Sequence, residues 1–186
     1  LAIALSSAGV SGESAASLRV VIPCINEARR DQVLAYLRSK EVLAGVKVEA
    51  HLGSARLPLI ASDVALVKCG TSTLEAMLLR RPMVVYYRVG RLNYLMTKML
   101  LRTQFFALPN ILAGRMLVPE LLQSAATPRA MAQQLLSQWQ QSQEDADYFT
   151  PFEQLHSSLR FGEDGGGANA NAASGVIELL GQERTS

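Results

Sequence analysis

Short runs of β-branched and aliphatic residues alternate along this chain with stretches whose apolar residues recur at helical spacing. LRVVIP at Leu18–Pro23, closed by proline, predicts a buried strand. Asn26 to Glu41 predicts a helix, with Ala28, Val33, Leu34 and Leu37 near one face and Arg29, Arg30, Asp31 and Arg38 elsewhere. Val46–His51 reads as a second strand followed by a glycine-containing loop, Leu57–Ser62 as a short helix, and Asp63–Val67 as a third strand. Ser72–Arg80 reads as a helix with Leu74, Met77 and Leu78 inward, broken at Arg81-Pro82. MVVYYRV at Met83–Val89 is the fourth strand, Leu92–Leu101 a strongly apolar helix, and Gln104–Leu108 a short fifth strand.

Val- and Ile-rich strands alternating with helices imply a parallel sheet covered on both faces. Right-handed crossovers make that an α/β, doubly wound, Rossmann-like domain. From Val118 the pattern turns helical: Pro119–Ser124, Pro128–Gln141, Phe152–Leu159 and a final Ala172–Leu180. Between the last two, Gly162–Asn171 is low in complexity and reads as mobile. Residues 1–17, rich in Ser, Ala and Gly, read as a tail or frayed helix. The expected division is therefore 1–17, 18–123 and 124–186.

Composition narrows the class without naming it. The chain has 186 residues, 49% of them hydrophobic, which suits one domain, or one domain with an appendage, and excludes wholesale disorder. A formal charge of +2 gives no reason to expect a nucleic-acid partner. No apolar run approaches the ~18 residues of a spanning helix. Cys24 and Cys69 are far apart, so neither a disulfide scaffold nor a zinc knuckle is expected, and a reducing cytosol is the default compartment. The chain opens on Leu1 rather than Met, and is read as a fragment of something larger.

In an open parallel sheet, ligands bind beyond the carboxyl ends of the strands, and two loops fall there. The first is KCGTSTLE at Lys68–Glu75. A glycine at a strand-to-helix turn lets a ligand approach the backbone, and the helix start offers free N–H groups. Thr71, Ser72 and Thr73 add hydroxyls, so the loop makes a diphosphate cradle without a Walker lysine. Glu75, one turn in, can take both hydroxyls of a ribose. Ser72-x-x-Glu75 also spells a capping box, in which Glu75 only satisfies backbone donors; spacing alone favours the cap. The second loop is LPNILAGR at Leu108–Arg115, with Pro119-Glu120 beyond. Asn110 can meet a ligand or close an Asx-turn, and the turn is the commoner case. Arg88 and Arg115 can each meet an anion or lie on the surface.

The apolar stripe of Leu92–Leu101 is wider than one core face requires, and Arg91, Lys98 and Arg102 flank it. Such a helix can lie on an anionic membrane surface or be sandwiched between sheet and a neighbouring domain. His51, His156, Cys24 and Cys69 read as structural. A binding site is expected; catalytic machinery is not evident.

SDVALVKCGTSTLEAMLLRRPMVVYYRV followed by LPNILAGRMLVPELLQ resembles the C-terminal half of lipid-A-disaccharide synthase, a GT-B glycosyltransferase, and the likeness extends over most of residues 18–182. GTxxLE alone is weak; GTSTLE, YRV and LPNILAGR in order are specific. The resemblance implies transfer of 2,3-diacylglucosamine from UDP to 2,3-diacylglucosamine 1-phosphate, with release of UDP and no metal or other cofactor. It makes 18–123 the donor-binding domain. It places Gly70, Thr71, Ser72 and Thr73 at the diphosphate, Glu75 at the ribose, and Arg88 and Asn110 at the nucleotide site. It makes Leu92, Tyr94, Leu95, Met99 and Arg102 membrane contacts of a cytoplasmic enzyme peripheral to the inner membrane, and a homodimer through the C-terminal segment becomes possible.

The main departures from that family concern the start of the chain; Cys69 also stands where a small residue, usually serine, is expected, and Gly162–Asn171 is longer and looser than the family's tail. The acceptor-binding domain and its catalytic aspartate are expected outside this chain, which alone should be inert. The strand and Gly-Ser-Arg loop that open the donor domain are not in residues 1–17, which should leave unpaired edges in mid-sheet. The competing readings are another UDP-sugar GT-B enzyme acting on a lipid carrier, and a non-catalytic truncated fragment.

Overall fold

The computed structural model describes residues 3–6, 18–39, 46–90 and 104–160, together with Ala173, Ser174 and Ile177; of residues 3–6 only the backbone is described. The elements are β1 (Ile3–Ser6), β2 (Arg19–Cys24), α1 (Glu27–Arg38), β3 (Lys47–Leu52), α2 (Arg56–Ala61), β4 (Val64–Lys68), α3 (Ser72–Leu78) and β5 (Met83–Tyr87). After them come α4 (Leu108–Ala113), β6 (Glu120–Leu122), a 3₁₀ turn (Gln123–Ala125), α5 (Pro128–Glu144) and α6 (Thr150–Arg160).

The strands form one sheet in the order β3-β2-β1-β4-β5-β6. β2 and β3 are parallel, from Arg19 opposite Lys47 to Cys24 opposite Leu52. β4, β5 and β6 are parallel to one another. Apolar side chains on both faces explain why β4 reads as an unbroken hydrophobic run. Ala65 and Val67, with Met83 and Val85 of β5, pack under Leu59, Ala76, Met77, Val118 and Phe152. Val64, Leu66 and Val84 pack on the opposite face against Leu135 of α5, with Met131 and Trp139 at its margin. Each large side chain buried there stabilises the fold by roughly 1.5–3 kcal/mol. This is the Rossmann-like α/β architecture that the alternation implied.

Local chemistry explains the element ends. Asn26 accepts from the Arg29 amide at 3.0 Å and caps α1. Thr127 accepts from the Ala130 amide at 3.2 Å and caps α5, whose first residue is Pro128. Gly114, at φ 65°, closes α4 in the left-handed conformation.

Three expectations need correction. Residues 3–6 are neither tail nor frayed helix but a central strand, antiparallel to both β2 and β4. The expected mid-sheet gap is therefore filled: backbone groups of two facing strands need partners, and a short apolar segment supplies them. Gln104–Leu108 is not the fifth parallel strand. Leu108 begins α4, with Pro109 in its first turn, and the strand beside β5 is Glu120–Leu122, where a helix was expected. Gln123 extends that edge: its side chain accepts from the Val89 amide at 2.9 Å and donates to the Val89 carbonyl at 3.1 Å. The Leu92–Leu101 helix and the Gly162–Asn171 stretch lie outside the described residues. Of Ala172–Leu180, Ala173, Ser174 and Ile177 are helical.

A candidate ligand cavity at the carboxyl ends of the strands

β4 is buried from Val64 to Val67 and exposed only at its last residue, Lys68. The chain turns there through Cys69 and Gly70, whose φ of +151° disfavours any side chain. A Cβ at Gly70 would meet nothing within 4 Å, so the backbone is open to an approaching ligand. The turn is held from within. The Thr73 hydroxyl donates to the Gly70 carbonyl at 2.7 Å, and the Thr73 amide donates to it at 3.1 Å. The Leu74 and Glu75 amides donate to the Thr71 carbonyl. Among the described residues, no protein acceptor takes the amides of Gly70, Thr71 or Ser72.

The capping box is not formed. Thr71, not Ser72, is the N-cap of α3, and it makes no side-chain cap bond. Ser72 and Glu75 instead line a cavity of about 420 Å³ with Lys68 and Val67 of β4, Pro23 of β2 and Ile25 just after it, and Gly53 to Ala55 after β3. The cavity thus lies where three parallel strands deliver their carboxyl ends. A wider hollow of about 820 Å³ runs on from it along α1, sharing Pro23, Ile25 and Lys68 and reaching Arg29, Val33 and Tyr36.

The structure divides the predicted site residues. Gly70 and Thr71 are exposed at the turn, and Ser72 and Glu75 face the cavity. Thr73 is fully buried with its hydroxyl committed to Gly70, so it shapes the turn and has nothing to offer a ligand. Asn110 is corrected in the same way. It is 0% exposed; its amide nitrogen donates to the Val118 carbonyl and to Glu120, both at 2.8 Å, and its oxygen accepts from the Leu117 and Val118 amides at 2.7 and 3.0 Å. An amide so fully bonded cannot also bind a ligand. Arg88 is exposed just beyond β5 and does not line the cavity. Arg115 lines a separate hollow of about 270 Å³ between α4 and α6. Leu92, Tyr94, Leu95, Met99 and Arg102 lie outside the described residues.

Three features were missed as site residues. Lys68 is a cation at the mouth of the cavity, signalled by a charged residue ending an otherwise apolar strand. Gly53 and Ser54 had only the turn glycine to mark them. Glu120 organises the neighbouring loop: its carboxylate accepts from the Phe106 amide (3.1 and 3.0 Å), the Ala107 amide (2.9 Å) and Asn110. Cys69 joins that loop to the cradle, its thiol donating to the Phe106 carbonyl at 3.0 Å. Burial pushes the Cys69 thiol up, Glu120 adds to the rise and Lys68 opposes it, which suits a packing thiol rather than a nucleophile. No three His, Cys, Asp or Glu side chains cluster among the described residues. No described helix is long and apolar enough to cross a membrane.

A doubly wound α/β unit with an open cavity beyond its strand ends has the architecture in which small ligands characteristically bind. Sequence comparison gives the particular family. The family profile described as "Lipid-A-disaccharide synthetase" matches residues 5–165. A lipid-A-disaccharide synthase from Pseudomonas paraeruginosa is 42% identical over 163 residues, 88% of this chain and 40% of that protein. One from Pseudomonas entomophila is 41% identical over 181 residues, 96% of this chain and 44% of that protein. One from Alcanivorax borkumensis is 38% identical over 164 residues, 88% of this chain and 41% of that protein. The chain belongs to the lipid-A-disaccharide synthetase family, and it spans about 40% of the length of these relatives.

Proposed function

We propose that this chain is the part of a lipid A disaccharide-forming glycosyltransferase that binds the UDP moiety of the sugar donor. The observation that carries the reading is the cavity beside Gly70: a glycine turn with three uncommitted amides, a half-buried carboxylate with no cap to serve, and a lysine, all at the ends of parallel strands. The amides of Gly70, Thr71 and Ser72 and the hydroxyls of Thr71 and Ser72 would take the diphosphate. Lys68 would neutralise part of its charge, and Glu75 would accept from the two ribose hydroxyls. Thr73, Asn110 and Glu120 act by holding these groups in place.

The reaction itself is a displacement with inversion. A hydroxyl of 2,3-diacylglucosamine 1-phosphate attacks the anomeric carbon of UDP-2,3-diacylglucosamine, the bond to the diphosphate breaks, and UDP leaves with the electron pair. This chain would stabilise the departing charge with preorganised donors. The base that takes the acceptor proton, and the acceptor itself, would belong to the rest of the protein, so this chain alone would turn over nothing. Residues 18–123 would form the donor-binding unit, with 124–186 as its helical extension. Leu92, Tyr94, Leu95, Met99 and Arg102 would hold the enzyme on the cytoplasmic surface of the inner membrane, where both acylated substrates reside, and the C-terminal segment would offer a dimer contact.

Isothermal titration of the chain with UDP tests the reading: saturable heat, weakened about tenfold by Glu75→Ala, is expected when a charged hydrogen-bond acceptor is removed. A folded chain that gives no heat with UDP removes the donor-site assignment and leaves a non-catalytic fragment. Displacement of UDP by acylated but not unacylated UDP-glucosamine separates this enzyme from other lipid-linked UDP-sugar transferases.

A further inference from the structure

α1 lies over β2 and β3 without closing on them. Val33, Tyr36 and Leu37 stand on one side of the helix, at the spacing of a flank that packs into a core. Yet no residue of α1 is buried. Between that flank and Ile22 and Cys24 of β2 lies the hollow of about 820 Å³. Its size is within the roughly 300–1,000 Å³ of pockets that enclose an organic ligand. Ile22, Cys24, Val33 and Leu37 give it apolar walls, and among the described residues no carboxylate lines it.

The hollow and the cavity beside Gly70 belong to opposite faces of the sheet and meet over its end. Val20 and Val64 both pair with Leu5, so Ile22, Cys24 and Lys68 share one face, while Pro23 and Val67 take the other. Pro23, Ile25 and Lys68 line both spaces. The meeting point is where β2 leads out to β3 and β4 leads out to β5 in the other direction, the reversal of strand order at which open α/β sheets bind ligands. A nucleotide sugar with its ribose at Glu75 and its diphosphate between Ser72 and Lys68 presents its far end to the mouth of the hollow.

The geometry points to the hollow along α1 as an acyl-chain subsite for the sugar donor, an assignment that rests on the UDP reading and extends it. Apolar walls continuous with an amide-rich cradle suit an amphiphile whose charged end lies in the cradle. An unacylated sugar would leave Val33 and Leu37 facing water, and a free fatty acid would leave the cradle unused.

Calorimetric titration of the full chain with UDP and with UDP-2,3-diacylglucosamine, below the micellar concentration of the latter, tests the two readings separately. The acylated donor should bind at least about tenfold more tightly than UDP. Shortening its acyl chains by two methylenes each should weaken it at least about tenfold, an arm that needs no substitution. Val33→Trp fills the hollow and Leu37→Asn makes its wall polar; each should bring the acylated donor to within about threefold of UDP and leave UDP affinity unchanged. Leu34→Asn, in α1 but outside the hollow, should keep the full advantage. An acylated donor no tighter than UDP, or an advantage that survives both Val33→Trp and Leu37→Asn, overturns the subsite and leaves the UDP site standing. Failure of UDP to bind, with the acylated donor still held and lost in Val33→Trp, removes the nucleotide reading and supports the acyl hollow; binding of neither overturns both.

Discussion

Asn110 and Glu120 meet side chain to side chain, with the Asn110 amide donating to the Glu120 carboxylate at 2.8 Å. That bond closes a network in which both side chains bond to backbone: Asn110 to Leu117 and Val118, Glu120 to Phe106 and Ala107. The loop before α4 and the start of β6 are thereby tied together next to the Cys69 turn. Asn110→Ala takes the side-chain partner from three backbone groups, the Leu117 and Val118 amides and the Val118 carbonyl, while Glu120 keeps the Phe106 and Ala107 amides; the expected loss is about 2–4 kcal/mol, read as a lowered urea midpoint with unchanged slope. A loss below about 0.5 kcal/mol would mean that water replaces the amide.

Glu75 and Thr73 sit two residues apart in α3 and should fail differently. Glu75 is half-buried and faces the cavity, so Glu75→Ala should change stability by no more than about 0.5 kcal/mol while UDP binding falls. Thr73 is fully buried and bonded to Gly70, so Thr73→Val should cost about 1 kcal/mol in a denaturation curve. UDP titration and denaturation of the two variants read the two effects separately.

Gly70→Ala separates conformation from space. Nothing described lies within 4 Å of the added methyl, so the cost to the free protein is the φ of +151° alone, about 1–3 kcal/mol. The methyl would stand beside the open face of the turn, so UDP affinity should fall further than stability does. Equal affinity for UDP in Gly70→Ala and the unsubstituted chain would place the diphosphate elsewhere.

Alkaline pH should destabilise the fold. Tyr148 donates to Gln138 at 2.7 Å, and burial pushes its phenol well above the ordinary value of 10.0; burial raises Tyr86 as well. An unfolded phenol loses its proton near pH 10 while the folded one keeps it, so unfolding releases protons and stability falls as pH rises through and above that point. Below about pH 9 these phenols are protonated in both states and contribute no slope. Urea midpoints between pH 8 and 11 check the sign, and Tyr148→Phe should flatten the decline. Over the same range the raised Cys69 thiol should react with iodoacetamide more slowly than it does in the unfolded chain.

Strands β2, β4 and β5 were legible because β-branched and aliphatic runs inside the sheet have a signature that neighbours cannot erase. The Gly70 turn was legible because glycine between an apolar strand and a helix has few other uses. The region from Gln104 to Leu122 was misread, with strand and helix exchanged. Three residues, Glu120 to Leu122, carry no period of their own; they are a strand because β5 offers a free edge and the Glu120 carboxylate anchors their start. The Ser72–Glu75 pair was ambiguous for a similar reason, since spacing shows which cap is possible and only the backbone at Thr71 shows which residue caps.

By itself the amino-acid order determined the alternating α/β plan and the presence of an open glycine turn, because periodicity and backbone freedom are local properties. Tertiary structure decided the remainder. It turned Thr73 and Asn110 inward to saturated hydrogen bonds, put Lys68 and Glu75 on one cavity wall, and drew Ile3–Ser6 into mid-sheet. Each of those outcomes depends on a partner distant in sequence, and burial makes an unpaired polar group too costly to leave unmatched.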